Sequence, residues 1–329
     1  MKIPTTIQET IAVSVIICTW NRATLLRKTL NQFKALEIPD RLSWELLLVD
    51  NASTDNTLAV AEEFADVLPL RIVQELRPGK SYAANKAVEL SRGEILLWTD
   101  DDALVDGKWI VSFLKAFERL QADIVYGKVE PWWETEPPAW YSNEFASRLA
   151  LLDHGPNEML MNSQGGSGYG VNYGFRRNVF EKIGPFRVDF GPTKKQGFGG
   201  EDTLFFEAAH ERKLKVGYSP FILVKHFIPI ERCNKTYHRR RAWISSEQYF
   251  RYLMERYQGL PSILRIPRFY IRIGLALIPT FLIALLSFDS KKRFFTEIQL
   301  IMFVGVLFRG IRNFCVECFG SGVQQQVKI

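Results

Sequence analysis

The 329-residue sequence predicts an α/β fold, a mostly parallel sheet flanked by helices, with a C-terminal helical, hydrophobic and basic extension. Short β-rich apolar runs alternate with helix-like stretches through the first half, as in sheets covered by helices on both faces. Hydrophobic residues make up 47% and charged residues 24%, which excludes a disordered or collagen-like chain. Residues 1–231 carry a net charge of −5 and residues 232–329 carry +11. We therefore predict one domain over residues 1–235 and a basic extension over 236–329.

The alternation predicts each element of the first half in turn. The expected strands are Val13–Cys18, Trp44–Val49, Leu70–Gln74, Glu94–Trp98 and Asp123–Val129. The helices between them are expected at Ala23–Leu36, Thr57–Phe64, Ser81–Ser91 and Lys108–Leu120. The first apolar run has no small-residue cleavage site and leads straight into polar residues, which favours a buried strand over a secretory signal.

The pattern changes at Pro131, where a proline-rich and aromatic segment running to Tyr141 predicts a loop. The four cysteines are scattered, which favours a reducing compartment. The elements expected further along are a glycine-rich turn at Gly165–Gly170, a strand at Val171–Arg176, a helix from Glu201 or Asp202 to about Lys213, a strand near Tyr218–Lys225, and a long basic helix over Thr236–Tyr257.

Polar and mostly acidic residues follow three of the predicted strands. Because the carboxyl ends of parallel strands meet at one edge of a sheet, these residues are expected to converge on one crevice. Adjacent aspartates repel one another unless a cation neutralises them, and carboxylate oxygens suit Mg²⁺ or Mn²⁺. The alternative is a solvated acidic turn. The three polar segments are Thr19-Trp20-Asn21-Arg22, Asp50-Asn51-Ala52-Ser53-Thr54-Asp55 and Asp100-Asp101-Asp102.

Two nucleotide-binding motifs are absent from the sequence. Gly79-Lys80-Ser81 resembles the end of a P-loop, but Gln74 stands where its first glycine is required. The glycine cluster at 165–170 does not satisfy G-x-G-x-x-G. A P-loop kinase and a dehydrogenase are therefore not expected.

Four segments in register make residues 10–240, approximately, similar to family 2 glycosyltransferases. That resemblance implies the glycosyltransferase A fold and makes residues 1–235 a catalytic domain. It also implies inverting transfer of a sugar from a nucleotide diphosphate donor, with a UDP-sugar as the best candidate. The acceptor would be a saccharide or a lipid-linked saccharide in polysaccharide or glycoconjugate synthesis. The four segments are Val15–Arg22, Val49–Asp55, Asp100–Asp102 and Gly199-Gly200-Glu201-Asp202.

The resemblance also implies roles at the donor site. Asp50 is expected to accept a hydrogen bond from the nucleobase, with Thr19, Asn21 and Arg22 lining the same pocket. Many relatives carry an Ala-Arg-Asn triplet whose arginine contacts the donor. This sequence has Ala83-Ala84-Asn85 instead, so Arg77 or Lys80 is left to supply the positive charge.

The remaining implied roles concern the metal and the base. Asp100 and Asp102 are expected to hold Mg²⁺ or Mn²⁺, and Asp100 also belongs to the expected donor site. Asp101 between them either belongs to the donor site or, as its variable position favours, is a solvated bystander. His226 is either a further metal ligand or a structural histidine. Asp202 is expected to be the general base, with Glu201 beside it, at a helix N-terminus that favours the ionised carboxylate.

The acceptor side has two interpretations. Trp132, Trp133, Trp140 and Tyr141 either stack on sugar rings or form a small core of their own, and Asn172 and Tyr173 stand where relatives shape the acceptor pocket. Arg232 and the run Arg239–Arg241 either touch phosphate or form a solvated helix face. Two other classes of function stay open, a nucleotidyltransferase and a catalytically silent membrane-bound scaffold.

Residues from about Phe269 to Phe308 are expected to bind a membrane. Residues 273–288 and 298–308 are free of charge and flanked by basic residues, among them Arg309. The first stretch is marginal in length for a span and is expected to be kinked at Pro279, and the second is too short. We therefore predict an interfacial or re-entrant helical hairpin on the cytoplasmic face of the cell membrane, rather than a span. The alternative is a soluble helical subdomain. No nucleic acid partner is expected.

Overall fold

The computed structural model describes residues 11–162, 168–191, 200–286 and 289–320, with side chains up to residue 316. These residues form two compact units. The first contains residues up to 132 together with 147–191 and 200–228, and the second contains residues 133–146 and those from 229 onward. The domain boundary expected at residue 235 stays a prediction. Most of the predicted turn at Gly165–Gly170, and Gly199, lie outside the described residues.

The elements up to residue 228 follow the predicted alternation closely. All five strands and four helices expected before residue 130 are present, and most of their ends lie within two residues of the predicted ones. Strand β6 continues to Trp133, so the loop predicted from Pro131 begins later; an extended backbone suits the fixed φ of proline. The elements are β1 (Val13–Thr19), α1 (Ala23–Phe33), β2 (Trp44–Asp50), α2 (Thr57–Glu62), β3 (Leu70–Gln74), α3 (Lys80–Leu90), β4 (Ile95–Asp100), β5 (Ala103–Val105), α4 (Trp109–Leu120), β6 (Ile124–Trp133), β7 (Met159–Met161), β8 (Asn172–Arg176), α5 (Arg177–Ile183), α6 (Glu201–Glu211) and β9 (Val216–Ile228).

Within the described residues, one mixed sheet has the order β3-β2-β1-β4-β8-β6-β9-β5, with β7 beside β9. Strand β1 pairs in parallel with β2 and with β4, and the interiors of these strands are almost wholly buried. Thr19 lies opposite Asp50, and Cys18 lies opposite Asp100. The parallel register therefore brings the polar carboxyl ends of β1, β2 and β4 to one edge, as predicted.

Strand β5 adds a residue from a distant part of the chain to that edge. It follows the three aspartates directly and pairs antiparallel with β9, so that Ala103 lies opposite His226. The N–H of Phe227 donates to the carbonyl of Asp102 at 2.9 Å. This short strand, which the sequence analysis did not predict, places His226 beside the aspartates.

The second unit is mainly helical. Its longest polar helix begins at Lys235, where the side chain of Asn234 accepts a hydrogen bond from the N–H of Thr236 at 2.7 Å. Trp140 contacts the rings of Phe145 and Phe294 in a core of this unit, so the interpretation of Trp140 as part of a small core fits the structure. The elements are α7 (Lys235–Arg256), β10 (Ser262–Ile263), β11 (Ile266–Pro267), α8 (Arg268–Leu286) and α9 (Ser290–Gly320).

Two helices of this unit are long and apolar enough to cross a membrane, judged by length and composition. They are α8, with a mean hydropathy of 2.1, and the part of α9 over Ser290–Val316, with 1.6. The two helices differ in burial. In α8, 17% of the apolar stretch is buried, whereas in α9 the buried share is 44%. Helix α8 continues through Pro279.

Candidate active site

Asp100, Asp102 and His226 form a cluster that fits a divalent cation. One oxygen or nitrogen from each residue lies within 4.8 Å of the others. The Nε2 atom of His226 is 3.5 Å from Oδ1 of Asp102, and both side chains are almost completely buried. Two carboxylates and one imidazole are hard and intermediate ligands, a set that suits Mn²⁺ and also Mg²⁺.

The orientation of His226 is set by a backbone carbonyl. Its Nδ1 atom lies 2.8 Å from the carbonyl oxygen of Leu149, which accepts hydrogen bonds and cannot donate them. The neutral ring therefore carries its proton on Nδ1 and presents the lone pair of Nε2 toward Asp102. This is the arrangement that metal-binding histidines use, and sequence reasoning did not identify Leu149.

Asp101 is not the solvated bystander that the sequence analysis expected. It is buried, its Oδ2 atom accepts a hydrogen bond from the hydroxyl of Thr19 at 2.6 Å, and its carbonyl accepts one from Thr29 at 3.0 Å. Burial, and next the charge of Asp102, raise the pKa of Asp101 to about 7. The expectation was wrong because β5 and α1 cover this turn. Through its hydrogen bond with Thr19, Asp101 connects the end of β1 to the acidic cluster.

Lys80, and not Arg77, contacts the aspartates. Its Nζ atom lies 2.6 Å from Oδ1 of Asp100 at the first residue of α3. Burial by itself disfavours the ammonium, but Asp100 and Glu201 outweigh it, so the pKa of Lys80 is raised. Arg77 is instead exposed and bound to Glu75 through two hydrogen bonds.

The ends of β1 and β2 form the other side of the crevice. Asp50 is buried, and both of its carboxylate oxygens accept a hydrogen bond from the N–H of Ser53 at 3.3 Å. Asn21 has a φ of 52°, and its Oδ1 atom accepts a hydrogen bond from the N–H of Thr54 at 2.7 Å. Arg22 reaches toward the metal cluster, with Nη2 3.8 Å from Oδ2 of Asp102. The predicted donor-site residues therefore lie along one edge with the aspartates.

The two acidic residues at the start of α6 have different environments. Asp202 is partly exposed, and its Oδ2 atom accepts a hydrogen bond from the N–H of Gly170 at 3.0 Å. Glu201 is buried, and burial followed by the charge of Asp202 raises its pKa to about 7. A Cβ atom at Gly170 would lie 3.3 Å from Nζ of Lys80 and 3.6 Å from Oδ2 of Asp202. The absence of a side chain at Gly170 therefore lets the lysine and the carboxylate approach the same point.

Two residues expected near the acceptor pocket, Asn172 and Tyr173, are buried. Asn172 is buried and uses its side chain fully, donating to the carbonyls of Lys128 and Ile222 and accepting from the indole of Trp109. Tyr173 is buried against Trp98. Both side chains are enclosed because β8 lies between β4 and β6 in the sheet, and a role for these two residues at the acceptor pocket stays a prediction.

Several of the remaining aromatic and basic candidates contact other residues of the fold. Trp132 contacts Phe227. Trp133 contacts Tyr141, and Arg239 is paired with Glu297 on an exposed helix face. A cavity of about 340 Å³ in the second unit contains no carboxylate among its lining residues, so it is not a candidate for this chemistry.

Known proteins share both the sequence pattern and the fold. Residues 14–184 match the sequence model of the family described as Glycosyl transferase family 2. The chain is 27% identical over 256 residues to the succinoglycan biosynthesis protein ExoM of Rhizobium meliloti, covering 77% of this chain and 78% of that protein. It is 32% identical over 122 residues to the dodecaprenyl-phosphate galacturonate synthase of Rhizobium johnstonii, covering 34% and 36% of the two chains.

Solved structures give the same result for the fold. The mannosyltransferase PcManGT of Pyrobaculum calidifontis, in complex with GDP-Man and Mn²⁺, has a TM-score of 0.57 at 19% identity, over 92% of this chain and 87% of that chain. Residues 1–349 of S. aureus TarS have a TM-score of 0.52 at 17% identity, over 88% of this chain and 90% of that chain. The predicted glycosyltransferase A fold is confirmed. With the family match covering more than half of its length, the chain belongs to glycosyl transferase family 2 and is a glycosyltransferase.

Proposed function

We propose that this protein is an inverting, metal-dependent glycosyltransferase that moves a sugar from a nucleoside diphosphate to a saccharide or lipid-linked acceptor. The observation that carries the proposal is the cluster of Asp100, Asp102 and His226 beside Lys80 and Asp202. Cation ligands and a fixed positive charge can stabilise a departing nucleoside diphosphate, and an accessible carboxylate can accept the proton of the acceptor.

Asp100, Asp102 and His226 would hold the cation, and the imidazole favours Mn²⁺ over Mg²⁺. When bound, the cation supplies positive charge against the negative charge that develops on the departing diphosphate. The PcManGT neighbour was solved with GDP-Man and Mn²⁺, which supports a nucleotide sugar and a divalent cation for this chain. A UDP-sugar stays the best candidate for the donor.

Lys80 takes the place of the arginine that the Ala83-Ala84-Asn85 segment lacks. Its ammonium, held at 2.6 Å from Asp100, lies where it can also donate to a phosphate oxygen. We infer that the nucleobase end of the donor lies toward Asp50 and Asn21, at the ends of β1 and β2, since these residues line the same edge of the sheet.

Asp202 is the proposed general base. It accepts the proton of the acceptor hydroxyl while the hydroxyl oxygen forms its bond to the anomeric carbon and the bond to the diphosphate breaks. The N–H of Gly170 holds the carboxylate in place at 3.0 Å, and Glu201 lies beside it in the same turn. One base and one direct displacement lead to inversion, and no second nucleophilic carboxylate is needed.

The relatives support an acceptor in surface polysaccharide or lipid-linked saccharide synthesis. ExoM is a succinoglycan biosynthesis protein, and another relative is a dodecaprenyl-phosphate galacturonate synthase. A third, 28% identical over 54% of this chain and 57% of its own length, is the glucosyl-dolichyl phosphate glucuronosyltransferase of Haloferax volcanii. Acceptors of this kind lie at membranes, so we propose that the protein works at the cytoplasmic face of the cell membrane.

The test is a screen of nucleotide sugars with Mn²⁺, Mg²⁺ or a chelator, in which the released nucleotide is identified. We expect a nucleoside diphosphate to be released from one donor, and the release to stop in chelator. Pyrophosphate released from a nucleoside triphosphate and a sugar phosphate would identify a nucleotidyltransferase instead. Absence of any turnover or donor binding with both metals would contradict the proposal and favour a silent scaffold.

A further inference from the structure

Helix α8 exposes most of its residues from Ile273 to Leu286. No residue from Ile273 to Leu286 is charged. The buried stripe consists of Tyr270, Gly274 and Ala284, and Gly274 packs so closely on Phe303 of α9 that a Cβ atom would overlap the ring. The apolar residues exposed by roughly half or more on the rest of the helix are Ile273, Leu275, Ile278, Leu282, Ile283, Leu285 and Leu286.

Helix α9 differs from α8, although both are apolar. Ile298, Phe303 and Val306 of α9 are buried in the cores of the second unit, which α7 and α8 complete. Arg309, which the sequence analysis counted as a basic flank of a membrane hairpin, is also buried. Its guanidinium donates to Glu247 at 2.7 Å and to the carbonyls of Trp243 and Gly305.

The pairing of α9 with α7 decides against a pair of spanning helices. Arg239 of α7 is bound to Glu297 of α9, and Arg240 next to it is exposed. Moving α9 into the hydrocarbon of a bilayer would carry these charges with it, at a cost that membrane proteins avoid. Helix α8 differs in that its exposed residues from Ile273 to Leu286 are uncharged.

The charges at the ends of α8 indicate what covers this surface. Arg268 and Arg272 at its beginning, and Lys291 and Lys292 after its end, are all exposed, and no acidic residue lies between Glu255 and Asp289. A second copy of the chain packed through α8 would bring basic ends together in either direction. Anionic lipid headgroups instead complement both ends, while the acyl chains cover the apolar surface between them.

We infer that α8 is a monotopic membrane anchor, which lies in the plane of the bilayer and inserts into one leaflet rich in anionic lipid. Helices α7 and α9 stay on the aqueous side, and the helix does not cross the membrane. At about 1.5 Å per residue, its 19 residues are about 28 Å long, so it presents an extended strip of apolar surface. This inference deepens the membrane location of the proposed function and rests on it.

The first experiment measures binding of the full chain to vesicles by cosedimentation. We expect binding to equimolar phosphatidylglycerol and phosphatidylcholine, and much weaker binding to phosphatidylcholine alone. The double substitution Leu282→Glu and Ile283→Glu changes exposed side chains and is expected to weaken binding at least about tenfold, because two apolar side chains lose their burial in lipid. Phe221→Glu, at an exposed apolar residue of β9, is the matched control and should bind normally.

The second experiment distinguishes an in-plane helix from a span. Ser262→Cys and Lys291→Cys, before and after α8, are made separately in a chain whose native cysteines are replaced by serine. In intact cells, a maleimide that cannot cross membranes should label neither site, and in inverted membrane vesicles it should label both. Labelling of the two sites from opposite sides would overturn the inference.

Two further outcomes would also overturn it. If the wild-type chain binds neither kind of vesicle and is a dimer, and the double variant is a monomer, the apolar face of α8 is an interface between copies. If the wild-type chain binds no vesicles and is a monomer, α8 binds no bilayer. Donor turnover is measured in the same samples. A wild-type chain that turns over donor but binds neither kind of vesicle refutes the anchor alone, and a wild-type chain that binds vesicles without turnover refutes the proposed function alone.

Discussion

Replacing Lys80 with methionine tests how the acidic cluster is held together. The substitution keeps the length of the side chain and removes its charge, leaving the carboxylate of Asp100 without its partner at 2.6 Å. The two side chains are 28% and 21% exposed, so the ion pair lies between the exposed and the buried case. Exposed pairs contribute at most about 1 kcal/mol. Breaking a buried pair costs about 3–5 kcal/mol. We therefore expect Lys80→Met to lower the free energy of unfolding by about 2 kcal/mol.

The assay is urea denaturation of the wild type and the variant in chelator, followed by circular dichroism. Lys86→Met is the matched control, because Lys86 lies on the same helix and pairs with Glu89 at 3.5 Å near the surface, so we expect a change within about 0.5 kcal/mol. Adding Asp100→Asn to Lys80→Met should recover about 1 kcal/mol, since the unpaired carboxylate is then gone. A Lys80→Met variant as stable as the Lys86→Met control would refute this reasoning.

Three further predictions concern the base, the metal and pH. Asp202→Asn should lower turnover roughly 10²–10⁴-fold with donor binding kept, measured by steady-state kinetics and calorimetry, and near-normal turnover would move the role to Glu201 or elsewhere. His226→Gln should weaken Mn²⁺ affinity about tenfold or more in a metal titration, whereas His210→Gln, in the last turn of α6 and outside the metal cluster, should not. Glu201 keeps its proton up to about pH 7 in the folded protein but loses it above its ordinary value of 4.5 when unfolded. Raising the pH from 4.5 to about 7 therefore favours unfolding. The free energy of unfolding of the wild type, relative to that of Glu201→Gln, should fall by up to about 3 kcal/mol over this range and then level off. A pH-independent difference in urea denaturation would contradict this assignment.

The sequence was sufficient for the elements whose signals are local. β1, β2 and β4 are continuous apolar runs that end in polar residues, and α6 begins at an acidic turn, so the positions of Thr19, Asp50, Asp100 and Asp202 follow from neighbouring residues alone. Parallel strands align their carboxyl ends, which is why convergence of these residues on one edge was also predictable.

Other features depend on contacts between distant segments, and only the tertiary structure decided them. The pairing of β5 with β9 brings His226 to Asp102, and a carbonyl at Leu149 selects the nitrogen that faces it. No pattern near residue 226 encodes either contact. The sequence offered Arg77 and Lys80 as equal sources of charge, and the first turn of α3 directs Lys80 to Asp100.

The two apolar segments of the extension show the same division most clearly. The sequence by itself determined that both segments are apolar, with basic residues nearby, and both helices are long and apolar enough to cross a membrane. Which of the two is covered is a property of packing. Helix α9 places Phe303 and Val306 in a core with residues of α7 and α8, and its Arg309 is bound to Glu247, whereas a smaller share of α8 is buried. Hydrophobicity is a property of each residue and can be read along the chain, but burial depends on what the rest of the fold brings against it.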